Sequence, residues 1–201
     1  VLFTSDHGDG VGRHARVSKW HPYDESVKVP FIAYGPKLGI QRNVIDTEHL
    51  VSGVDIMSTV CDYAGIPTPP HSRGLSLRPL LEGKPVEWRN SLFVELKEVG
   101  RVIRSDRYKY VMSYEGAPKK KGRVVNENYL TTDGNTTAFL PGDTQRLKRD
   151  EQAMLFDMKN DPWETRNLID DPRYQAVIEQ HEAMLADFES ALIPGTEFTR
   201  T

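Results

Sequence analysis

The rhythm of apolar and polar positions changes along this chain. Val1-Leu2-Phe3-Thr4 has strand character and runs straight into the polar loop Ser5-Asp6-His7-Gly8. It reads as a short buried strand of parallel-sheet type with a loop at its carboxyl end. A second β-rich run, Val29-Pro30-Phe31-Ile32-Ala33-Tyr34, closes at Gly35-Pro36, and Pro30 favours the start or edge of a strand. Ser52-Gly53-Val54-Asp55 has the form of a capping box with Asp in place of Glu. Ile56, Met57, Val60, Cys61 and Ala64 then share one helical face, and Gly65 and Pro67 end the helix.

Residues 67–90 are rich in Pro and Gly and read as a connection pinned by Leu75, Leu77, Leu80 and Leu81. Beyond residue 90 the spacing shortens. Ser91–Leu96, Val99–Arg104, Tyr108–Tyr114 and Ala153–Met158 are β-like runs that predict an antiparallel meander. The polar stretch 115–151 interrupts it as an insertion or lid. A final helix follows Asp171 as N-cap and Pro172 at N1, with Tyr174, Val177, Ile178, His181, Leu185, Phe188 and Leu192 at helical spacing and Pro194-Gly195 as its stop. His181 lies on that face and reads as a packed residue. The fold class is therefore α/β in residues 1–90, followed in 91–201 by an antiparallel sheet of about four strands with a C-terminal helix.

Composition narrows the function. With 26 basic and 29 acidic residues the formal charge is −3, which gives no reason to expect a nucleic-acid binder. Lys119-Lys120-Lys121-Gly122-Arg123 reads as a solvated loop. No apolar run approaches the roughly 20 residues a membrane-spanning helix needs. Cys61 is the single cysteine. It allows no internal disulfide, and on the apolar stripe it reads as a core residue.

The chemistry is concentrated in residues 5–20. Asp6 and His7 are adjacent, and side chains at adjacent positions of a regular strand point to opposite faces. An irregular backbone, which Gly8 permits, lets both reach one divalent cation. An imidazole favours a transition metal and carboxylates favour calcium or magnesium, while an Asp capping a turn beside a surface His is an equally good account from spacing alone. Lys19 adds a cation able to hold an oxyanion. Arg13, Arg16, Trp20 and His21 are candidate pocket residues, each with an ordinary packing or surface role as the simpler account.

These residues resemble the sulfatase family of the alkaline-phosphatase superfamily. Thr4-Ser5-Asp6-His7-Gly8, Gly12-Arg13-His14, Lys19 and Tyr23-Asp24-Glu25-Ser26-Val27-Lys28-Val29-Pro30-Phe31-Ile32 are similar to the sulfatase stretch S-D-H-G, G-x-H, K, Y-[DE]-E-[SG]-x-R-V-P-x-I, with Lys28 in place of Arg. Val54–Pro67, with Ser58 in place of a Pro, resembles the helix that ends A-G-I. Gly74-Leu75-Ser76-Leu77-Arg78-Pro79-Leu80-Leu81-Glu82-Gly83, Arg104–Tyr110 and Leu155–Leu168 match later motifs in order, the last resembling L-[YF]-D-L-x-x-D-P-x-E-x-x-N-L.

The resemblance implies a sulfuric ester hydrolase acting on a carbohydrate or aryl sulfate. A phosphonate or phosphate ester hydrolase, or a non-catalytic binding domain on the same scaffold, are the alternatives. Asp6 and His7 match metal ligands, with calcium the usual metal and magnesium or a transition metal as alternatives. Lys19 matches the sulfate-contacting lysine, and His14 joins it as a candidate catalytic residue. The family's nucleophile is a formylglycine made from Cys in C-x-P-x-R, and neither that motif nor S-x-P-x-R occurs here. The chain is thus expected to be the carboxyl-terminal portion of a longer, exported sulfatase. Its expected partners are a sulfated small molecule or saccharide and an N-terminal portion of the same protein that carries the nucleophile. On its own it is expected to be inactive.

Overall fold

The structure is a computed structural model that describes residues 1–17, 19, 21–96, 100–113, 123–124 and 153–192. The first strand, β1 (Leu2–Thr4), leads through the polar loop to β2 (Arg16–Val17) and a single helical turn, α1 (Asp24–Val27). β3 (Phe31–Ala33) returns antiparallel to β1, with Phe3 opposite Ile32. The expected burial and parallel pairing of the first strand are therefore not what the structure shows. β1 and β3 form a two-stranded sheet, and among the described residues no further layer covers the face that carries Phe3 and Ile32, both 58% exposed.

Helix α2 (Asp55–Ala64) lies within the predicted span. Asp55 Oδ2 accepts the Ser52 N–H at 2.8 Å, which is the carboxylate half of the capping box. Its buried face differs from the expected stripe. Cys61 is buried, but Met57 and Val60 face outward while Asp55, Ser58 and Thr59 are enclosed. Hydrogen bonding is the reason. Ser58 Oγ donates to Gly74 O at 2.7 Å, and Thr59 Oγ1 and Asp55 Oδ1 accept the Leu77 and Leu75 N–H groups at 2.9 and 2.8 Å. Arg89 closes a two-pronged ion pair on Asp55 at 2.8 and 2.5 Å. The 74–77 segment is thus stitched to a polar helix face. Of the four leucines expected to pin this region, Leu77 is buried and Leu75 is exposed. Leu80 and Leu81 fall in the short α3 (Arg78–Leu81).

The four-stranded antiparallel sheet follows, formed by β4 (Ser91–Leu96), β5 (Gly100–Ser105), β6 (Tyr108–Ser113) and β8 (Ala153–Asp157) in that spatial order. β7 (Arg123–Val124) pairs instead with β2. It is the described part of the 115–151 stretch; the rest of that stretch, Val99, Tyr114 and Pro194-Gly195 lie outside the described residues. Side chains alternate across the sheet. Ile103, Tyr110 and Leu155 point to one face, where they meet Leu168 and the Ile178 and Leu185 side chains of α4 (Gln175–Ser190). Leu96, Val102, Val111, Met154 and Phe156 point to the other, where they meet Tyr23. His181 is packed, with Nε2 at 3.0 Å from Ser105 Oγ and Nδ1 at 2.7 Å from Val177 O. One sheet therefore carries α4 on one face and, through Tyr23, the loop from β1 to α1 on the other. Among the described residues no helix is long and apolar enough to cross a membrane.

Candidate functional site

The loop after β1 leaves extended geometry at once. Ser5 Oγ donates to His7 O at 2.8 Å, and the His7 N–H donates to Asp6 Oδ1 at 3.0 Å. The Gly8 N–H donates to Ser26 O at 2.8 Å. A Cβ on Gly8 would stand 2.0 Å from Glu25 O, so only glycine allows α1 to pack this closely. Val11, Gly12 and His14 all have positive φ, at 45°, 89° and 49°. That sequence of left-handed residues folds the loop back onto itself.

This backbone brings Asp6, His7 and Lys19 together. His7 Nδ1 lies 2.8 Å from Gly8 O. A carbonyl only accepts, so this contact makes Nδ1 the protonated nitrogen and leaves the lone pair on Nε2. Asp6 Oδ2 is 3.3 Å from Nε2, and Lys19 Nζ is 2.7 Å from it. Lys19 is itself fixed by its backbone, since its carbonyl accepts from Ser26 Oγ at 2.6 Å. The Asp6 side chain is 81% exposed. Desolvation pulls its carboxyl upward, but the His7 N–H and ring outweigh this and hold it below the ordinary value.

A carboxylate oxygen and an imidazole lone pair within 3.3 Å, with the other ring nitrogen on a backbone carbonyl, is the arrangement of metal-ligating histidines. Asp6 and His7 could hold a divalent cation once Lys19 Nζ, 2.7 Å from Nε2, gave up that lone pair. Two ligands do not complete such a site. Among the described residues no group of three or more His, Cys, Asp or Glu side chains is placed to hold a metal.

His14 has other partners. Its Nδ1 is 2.7 Å from Glu25 Oε1, and its Nε2 is 2.9 and 3.2 Å from the Trp163 and Glu164 carbonyls. Its ring stacks on Tyr23 with centroids 3.9 Å apart. Both nitrogens of this buried ring are engaged within the chain. Burial raises the Glu25 carboxyl, yet the His14 hydrogen bond, a backbone N–H and the nearby His14 and His21 rings together offset that and hold it low. Arg13 lies over the exposed Trp163 ring at 3.9 Å. His21 is buried against Tyr23, the side chain of Arg16 is outside the description, and Trp20 lies outside the described residues.

Sequence reasoning assigned no role to Lys109 or Glu164. Behind α1, Lys109 Nζ donates to Asp24 Oδ1 at 2.8 Å and is ion-paired with Glu164 Oε1 at 2.6 Å. The available signal was a lysine at an inward position of a strand, in Tyr108-Lys109-Tyr110-Val111, since an enclosed lysine requires a carboxylate partner.

The chain is similar to known proteins over most of its length. Residues 12–121 match the model of the C-terminal region of N-sulphoglucosamine sulphohydrolase. The chain is 32% identical over 200 residues to a Delta 4,5-hexuronate-2-O-sulfatase of Bacteroides thetaiotaomicron, covering 94% of this chain and 34% of that protein. It superposes on a 2-O GAG sulfatase with a TM-score of 0.69 at 31% identity, covering 94% of this chain and 36% of the other. A phosphonate monoester hydrolase of Agrobacterium radiobacter gives a TM-score of 0.65 at 26% identity, over 94% of this chain and 34% of that one. The chain spans about a third of the length of these relatives. It belongs to the sulfatase family, of alkaline-phosphatase-like fold, and corresponds to the family's C-terminal part.

Proposed function

We propose that this chain forms part of a sulfuric ester hydrolase acting on a carbohydrate or aryl sulfate, and that it supplies Asp6, His7 and Lys19 to the site. The observation that carries this reading is the convergence of the Asp6 carboxylate and Lys19 Nζ on His7 Nε2, at 3.3 and 2.7 Å. Hydrolysis breaks the ester O–S bond, consumes water and yields an alcohol and sulfate. Charge on the sulfuryl oxygens grows in the transition state, and fixed cationic groups stabilise it there. The Lys19 ammonium, tethered through Ser26, would hold one sulfuryl oxygen and stabilise that charge. Asp6 and His7 would hold a divalent cation, calcium first and magnesium or a transition metal next, which when bound supplies Lewis-acid polarisation of the sulfate. His14 would act through position, by fixing the loop between Gly12 and Lys19.

The nucleophile, a formylglycine, would come from the longer protein. The greater part of each relative lies outside the matched region, and we propose that the corresponding remainder packs on the exposed apolar faces of β1, β3 and α2 and completes the metal site. The test is turnover of 4-nitrophenyl sulfate by that longer protein. Lys19→Ala and Asp6→Ala should each lower kcat by about 10²-fold or more, as for removal of one charge-stabilising group. Unchanged turnover in both variants would overturn the assignment. Similarity to the phosphonate monoester hydrolase supports a second reading, phosphonate or phosphodiester hydrolysis. Faster turnover of bis(4-nitrophenyl) phosphate than of the aryl sulfate would favour it.

A further inference from the structure

Residues 24, 25 and 26 are consecutive, and each ties the site to a different anchor. Ser26 faces the site, its Oγ donating to Lys19 O at 2.6 Å and its carbonyl accepting the Gly8 N–H at 2.8 Å. Glu25 holds His14 at 2.7 Å. Asp24 faces the four-stranded sheet, where its N–H donates to Glu164 Oε2 at 2.6 Å and its carboxylate meets Lys109 at 2.8 Å. Lys109 also meets Glu164 Oε1, and both of these side chains are 1% exposed.

A fully enclosed ion pair is poor evidence of stabilisation, because desolvating both charges offsets most of their attraction. Its best-attested use is to specify one arrangement over others. Backbone strain marks the same place. Glu164 and His14 have φ of 54° and 49°, and they are the two ends of one contact, His14 Nε2 to Glu164 O at 3.2 Å. Left-handed backbone in non-glycine residues persists only where surrounding contacts over-determine it.

We propose that Glu164 and Lys109 are positioning residues: they hold α1 against the four-stranded sheet and thereby set the placement of Gly8 beside His7 and of Lys19. The consequence for catalysis rests on the function proposed above; the structural claim does not. Glu164→Gly in the longer protein is the informative variant. Glycine suits the positive φ, the residue 164 carbonyl remains for His14, and Lys109 keeps Asp24 as its partner.

Hydrogen exchange followed by mass spectrometry should show residues 5–9 and 22–28 exchanging about tenfold faster or more, with β5 and α4 as protected as in the parent. Turnover of 4-nitrophenyl sulfate per folded molecule should fall about tenfold to a hundredfold, the range expected for displacement on the order of 1 Å. Lys109→Met should reproduce the exchange pattern. Unchanged exchange at residues 5–9, or loss of protection spread equally over β5 and α4, would overturn the positioning role and leave a merely structural one. A parent protein without sulfate ester turnover would remove the proposed function, and the exchange pattern would still decide the positioning role.

Discussion

At the scale of single residues, Gly8 shows how little freedom the loop has. A Cβ there would lie 2.0 Å from the Glu25 carbonyl oxygen, and a backbone atom cannot swing aside as a side chain can. Gly8→Ala should therefore destabilise the protein by about 1–3 kcal/mol, the usual cost of forcing extra volume into a packed site. Gly53→Ala is the control, since a Cβ at Gly53 meets nothing within 4 Å. Urea unfolding of the two variants should separate them. Asp171 offers a pH test. Its side chain accepts the Arg173 N–H and pairs with the Arg173 guanidinium, which, with that N–H, lowers its pKa from 3.8 to about 2. A carboxyl depressed in the folded state stabilises fully above its unfolded value and loses that contribution as pH falls through the folded value. Stability from this contact should thus be complete above pH 3.8 and vanish on acidification toward pH 2. Thermal melts between pH 5 and pH 2 should show that difference between the parent and Asp171→Asn. An Asn variant that loses stability on acidification as steeply as the parent would remove Asp171 as its source.

At the scale of elements, helix α2 separates what a sequence shows from what it hides. Its limits follow from local signals: the Asp55 carboxylate on the Ser52 N–H at its start, Gly65 at φ 68° at its end, and Pro67 beyond. Its inward face did not follow from periodicity. Asp55, Ser58 and Thr59 are enclosed because a distant segment, 74–77, brings backbone groups that need partners, and no local pattern encodes that meeting. The same holds for the site. Adjacent Asp6 and His7 and the spacing to Lys19 were legible, whereas the contact of His14 with Trp163 and Glu164 spans about 150 residues and depends on how the sheet packs. The strands of the meander were legible as short runs of β-forming residues set between polar turns. Asp55→Ala should be among the costliest changes in this region. It strips two N–H groups of their acceptor and leaves Arg89, whose side chain is 16% exposed, without its carboxylate. Breaking such a pair from one side costs about 3–5 kcal/mol. Val60→Ala, on the outward face, should cost well under about 1 kcal/mol in the chain by itself. Equal losses in chemical denaturation would remove the polar face as the reason α2 stays docked.

At the scale of the whole molecule, the apolar surface is distributed unevenly. The four-stranded sheet is covered on both faces, by α4 and by the loop around Tyr23. The β1–β3 pair presents Val1, Phe3, Ile32 and Tyr34 on one face, each more than half exposed, and α2 presents Val54, Met57 and Val60. Exposed apolar groups scattered singly are ordinary, but contiguous ones mark surfaces that meet a partner. The relatives extend well beyond the matched region, and the proposed remainder of the longer protein would meet these faces where Asp6 also lies open. The 201-residue chain expressed alone should therefore bind an apolar dye such as anilinonaphthalene sulfonate strongly, and the longer protein should bind it weakly. Phe3→Ser and Met57→Ser should reduce dye binding by the short chain and leave its own fold intact, since neither side chain is enclosed within it. In the longer protein the same changes should lower the melting temperature, because there they would open cavities or strand polar groups at a buried contact. Neutral behaviour of both substitutions in the longer protein would place its remainder elsewhere. The completion of the Asp6–His7 site would then require donors that approach from a different side of the loop.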